Sequence, residues 1–81
     1  MEQEVRLTER EIEVLARLAR GRSYAQAAHE LGMSAHTIGS HVKNAYRKLE
    51  VHSAAAAVMR AVELRLLEPQ FANEKMVTVT I

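Results

Sequence analysis

The stretch LGMSAHTIGSHVKNAYRKLEV, residues 31–51, decides how the rest of this chain is read. Ser34 stands where a helix cap belongs, directly after a Gly-Met turn, because a serine hydroxyl accepts from backbone N–H groups that the first helical turn leaves without partners. From there Ile38, Val42, Ala45 and Leu49 fall within roughly 60° of arc at about 100° per residue, which makes one narrow apolar seam. The opposite side carries His36, Ser40, Lys43 and Arg47, with Thr37 and Asn44 flanking it and His41 and Lys48 at the border between seam and water. All three cations of this helix are therefore off the core side. Gly39 interrupts it at a cost of about 1 kcal/mol relative to alanine.

Working towards the amino end, Gly32 closes a short helix that Ser23 and Gln26 open with a capping-box pattern, and Ala27, Ala28 and Leu31 form its inner side. So little chain separates it from Ser34 that the two helices must cross steeply, which is helix-turn-helix spacing. Thr8 and Glu11 repeat the capping box further upstream, and Leu7 and Ile12 have the spacing of a hydrophobic staple. Ile12, Leu15, Ala16 and Ala19 share one face of this first helix, Val14 and Leu18 widen it, and Gly21 ends it. Downstream, Ser53 caps a fourth helix in the run AAAAVMRAVELRLL, with Val58, Ala61 and Val62 on one face and Pro69 marking its end. MVTVTI, residues 76–81, alternates as a strand does.

With 81 residues and no cysteine, the chain is one small domain without disulfides or thiolate metal sites. The reading divides it into a frayed amino terminus, residues 1–6; a four-helix, all-α domain, residues 7–67; and an extended, strand-like tail, residues 68–81. Eleven Lys and Arg stand against ten Asp and Glu, so distribution rather than total charge must identify a partner. The scarcity of aromatic residues, at 4%, argues against single-strand stacking platforms but leaves duplex recognition open. With neither a membrane-spanning apolar run nor a signal-peptide pattern, a cytoplasmic protein is expected.

LTEREIEVLARLARGRS and LGMSAHTIGSHVKNAYRKLEV together resemble the LuxR-type (GerE- or FixJ-like) helix-turn-helix domain of bacterial transcription regulators, over about residues 7–67. The blocks carry the family's L-T-x-R-E-x-E-V-L, G-x-S and S-x-x-T-[IV]-x-x-H-x-x-x-x-x-x-K-L patterns in register. The resemblance implies that the third helix enters the major groove, that the second crosses the DNA backbone, and that the fourth forms a dimer contact. Thr37, Lys43, Asn44 and Arg47 match positions from which the family contacts DNA. Adding the polar neighbours, the candidate DNA-binding set is Ser23, His36, Thr37, Ser40, Lys43, Asn44, Arg47 and Lys48, and the candidate dimer contact is Val58, Met59, Val62 and Leu66.

Four departures stand out. Gly39 replaces a lysine or other long side chain of many relatives, which favours weakened or shifted sequence reading. Ala27 replaces isoleucine, Glu50 a glycine or asparagine after the third helix, and Ala54 an arginine. Members often carry a sensory domain ahead of this one, whereas few residues precede the first helix here; regulation through abundance, oligomerisation or another protein is the expectation. The rival reading is a protein-interaction module that captures another transcription regulator through the fourth helix and the tail. His29, His36, His41 and His52 lack the spacing of a metal site, and Ser40 beside His41 lacks the geometry of a nucleophile and its base. The sequence therefore leads to no enzyme, no cofactor, no metal and no small-molecule ligand. Its expected partners are double-stranded DNA, a second copy of the chain and, in the rival reading, another regulator.

Overall fold

The computed structural model describes residues 5–67, and its elements run α1 (Glu9–Ala19), α2 (Tyr24–Leu31), α3 (Ala35–Leu49) and α4 (Ala54–Glu63). The proposed strand at residues 76–81 lies outside the described residues. Each helix starts where a hydroxyl supplies the missing acceptor: Thr8, Ser23, Ser34 and Ser53 take the backbone N–H of Glu11, Gln26, Thr37 and Ala56. The first two are full capping boxes, since the Glu11 and Gln26 side chains accept in return from the N–H of Thr8 and Ser23. Gly32 ends α2 in the left-handed conformation at φ 69°, a region that glycine enters without steric cost. Only Gly32, Met33 and Ser34 then separate α2 from α3.

α3 packs on α1, α2 and α4 and is the axis of the domain. Its seam is buried as the period requires, with Ile38, Val42, Ala45 and Leu49 at 3% exposure or less. The seam divides between two apolar clusters. Ile38 and Val42 join Val14, Ala27 and Ala28 beneath the helix-turn-helix. Ala45 and Leu49 join Leu15, Ala57, Ala61 and Leu67 at the other end. Leu7 and Ile12 pack against this second group, and so does Val5, so apolar packing begins inside the stretch expected to be frayed.

Three further expectations are corrected. The buried side of α1 is centred on Glu11, Val14 and Leu15, with Ile12 and Ala16 only half-buried, because the Glu11 carboxylate has a cation to meet there. α4 ends at Glu63 rather than near Pro69: Arg65 turns left-handed at φ 61°, Leu66 N–H donates to Ala61 O at 2.8 Å, and Leu67 folds back into the core. Its deepest residues are Ala57 and Ala61, while Val58 and Val62 are half-buried. Ala27, despite its small side chain, is fully enclosed.

Candidate nucleic-acid interface

The side of α3 turned away from the core is set by the same 3.6-residue period that buries the seam. Along it His36, Ser40, Lys43 and Arg47 are all exposed. Thr37 and Asn44, on the flank, are half-buried. Thr37 is tied into the helix start, its Oγ1 lying 2.9 Å from the hydroxyl of Ser34. Ser23 is exposed at the start of α2, where its hydroxyl holds the Gln26 N–H at 3.1 Å.

Several cations elsewhere on the surface are held by carboxylates. Arg10 pairs with Glu13, Arg60 with Glu63, and Glu30 is shared by Arg17 and Arg22, each at 2.7 Å. The Arg22 hydrogen bond, aided by the charges of both guanidiniums, holds the Glu30 carboxyl below its ordinary pKa. Lys43 and Arg47, by contrast, have no ion pair among the described residues, and no acidic residue occurs within α3. An acid-free helix face with two such cations presents its whole charge to solvent, which is the electrostatic form that a phosphate backbone answers.

Lys48 belongs elsewhere. Its ammonium donates to Glu11 Oε1 at 2.9 Å and lies on the α1 side of the helix, so the structure does not bring it together with Lys43 and Arg47. Burial alone would raise the Glu11 pKa. Hydrogen bonds from Lys48 and the Thr8 N–H, with the charges of Lys48 and His41, outweigh that and hold the carboxyl below its ordinary value. Sequence reasoning missed this anion because Glu11 was already explained as a cap.

On the opposite flank, the Tyr24 ring lies beside Gly39: a Cβ built at position 39 would sit 3.9 Å from Tyr24 Cε2. Tyr24 is 43% exposed. Tyr46, two turns beyond Gly39 on that flank, is half-buried, and burial together with its electrostatic interaction with Tyr24 pushes its phenol above the usual range. No sequence periodicity announced the Tyr24–Gly39 approach, since it joins two different helices.

Of the four residues expected at a dimer contact, Val58, Val62 and Leu66 pack partly against the domain's own core. Met59 is 67% exposed. No three His, Cys, Asp or Glu residues gather as metal ligands among the described residues. Nor is any helix among them long and apolar enough to cross a membrane.

Four helices, a tight turn between the second and third, and a free cationic stripe on the third define a helix-turn-helix domain. Residues 5–61 match the GerE family, bacterial regulatory proteins of the luxR family, and the chain belongs to it. It is 44% identical over 59 residues to the nitrate/nitrite response regulator protein NarP of Escherichia coli, covering 73% of this chain and 27% of that protein. Over 60 residues it is 40% identical to the transcriptional activator protein CarR of Pectobacterium carotovorum, covering 74% of this chain and 25% of CarR. The crystal structure of the response regulator ChrA, from a heme-sensing two-component system, superposes with a TM-score of 0.75 at 36% identity, over 82% of this chain and 33% of ChrA. The chain thus spans about a quarter to a third of the length of these relatives.

Proposed function

We propose that this chain binds double-stranded DNA as a homodimer and regulates transcription, with α3 in the major groove. The observation that carries the reading is the pair of unpartnered cations, Lys43 and Arg47, on a face of α3 that holds no acid. Both sit one turn apart on one side of a helix about 22 Å long, which suits contacts to successive phosphates along one groove wall. Ser23, His36, Thr37, Ser40 and Asn44 add hydrogen-bonding groups around them. Lys48 takes a lesser part, because gripping a phosphate would require it to leave Glu11.

Replacing Lys43 and Arg47 together with alanine tests this. Affinity for duplex DNA should fall, and the slope of log affinity against log salt should flatten by about 1.8, the loss of two released counterions. Circular dichroism should be unchanged. Equal binding by the variant and the parent at every salt concentration would refute the placement of DNA on this face.

The dimer contact is assigned to α4, where Met59 offers an exposed thioether beside the half-buried Val58 and Val62. A second copy related by a two-fold axis would bring the same side chains face to face.

A further inference from the structure

Gly39 leaves the third helix without a side chain at a point about 40° around the axis from Lys43 and one turn before it. What occupies the neighbourhood instead is an aromatic ring from another helix. Tyr24 is the first residue of α2, held in place by the Ser23 cap and the buried Ala27 and Ala28 that follow it. Its Cε2 would lie 3.9 Å from a Cβ built at position 39. The residue is 43% exposed.

Resting on the DNA-binding reading above, we propose that Tyr24 is a specificity-determining residue that stands in for the missing side chain at position 39. The chemistry follows from what the ring presents. The carbon that lies beside position 39 is an aromatic C–H edge, which makes a favourable apolar contact with the C5-methyl group that only thymine projects into the major groove; the phenol O–H is not needed for this contact, so Tyr24→Phe keeps it. Tyr24 therefore selects an A·T pair, with thymine on the strand nearer α2, at one position of each half-site. Gly39 is the complement of this arrangement: it adds no polar group that would compete for the same base.

The test starts from duplexes that the full chain selects out of a random pool, followed by affinity measurements with uracil replacing thymine at each position in turn. Uracil lacks the methyl group and keeps every hydrogen-bonding atom. At one position per half-site it should weaken the parent protein and Tyr24→Phe by about fivefold or more, the lower end of a single-base effect. Tyr24→Ala should be insensitive to uracil at that position. Gly39→Lys should shift the preference there from thymine to guanine. Uracil tolerated at every position would overturn the proposal, as would a Tyr24→Ala loss that is equal on all sequences, which marks a phosphate contact. If Lys43→Ala with Arg47→Ala weakens binding while Tyr24→Ala selects the same sites as the parent, only the Tyr24 role falls. If the parent binds no duplex, both readings fall together.

Discussion

Lys48 Nζ lies 2.9 Å from Glu11 Oε1, joining the last turn of α3 to the first turn of α1 across 37 residues of sequence. Glu11 is 4% exposed and Lys48 retains 31% exposure, so the pair is a half-buried strut with one end in the core. The depressed Glu11 pKa makes it a source of pH dependence. A carboxyl held below its unfolded value of 4.5 contributes stability that is complete above that pH and is lost as pH falls through the folded value.

Glu11→Gln should accordingly cost about 1–3 kcal/mol at pH 7, the range for a buried polar partner left incompletely satisfied. Urea titrations at several pH values check the sign. The gap between parent and variant should narrow as pH drops below 4.5, because protonated Glu11 comes to resemble glutamine. A gap that widens on acidification would contradict the assignment.

Glu50 closes α3 in the left-handed region, at φ 59° and ψ 49°. A residue with a Cβ is strained there, and its negative charge stands at the carboxyl end of a helix, where the dipole opposes it. Glu50→Gly should raise stability by about 1 kcal/mol, read as an upward shift in thermal midpoint with helicity retained.

Gly39 shows no such backbone requirement, for its φ is not positive and a Cβ would meet Tyr24 at ordinary contact distance. Gly39→Ala should therefore stabilise the domain by about 0.5–1 kcal/mol. A destabilised variant would mean that the Tyr24 ring sits closer to the helix than the 3.9 Å separation implies.

Met59→Glu places a charge in the middle of the proposed dimer contact while touching a side chain that is 67% exposed in one copy. Sedimentation should then show a shift toward monomer, with the thermal stability of the isolated domain changed by no more than about 0.5 kcal/mol. An unaltered mass distribution would remove α4 from the dimer.

The parts of the fold that were legible in sequence are those whose physics is local. A cap and its partner are three residues apart, as at Thr8 and Glu11, and the seam from Ile38 to Leu49 repeats with the helix itself. The cationic stripe followed as the complement of that seam. What remained hidden depends on groups far apart in the chain. Glu11 had a sufficient local role, which concealed its second one towards Lys48. Tyr24 approaches Gly39 only after α2 has docked. The end of α4 was misplaced because no proline or glycine marks Arg65, where the chain turns to return Leu67 to the core.

Glu11 Oε1 receives both the Thr8 backbone N–H and the Lys48 ammonium, each at 2.9 Å. Opening this first turn of α1 would therefore also loosen the hold on Lys48 at the far end of α3. One oxygen atom thus ties the start of α1 to the last turn of α3.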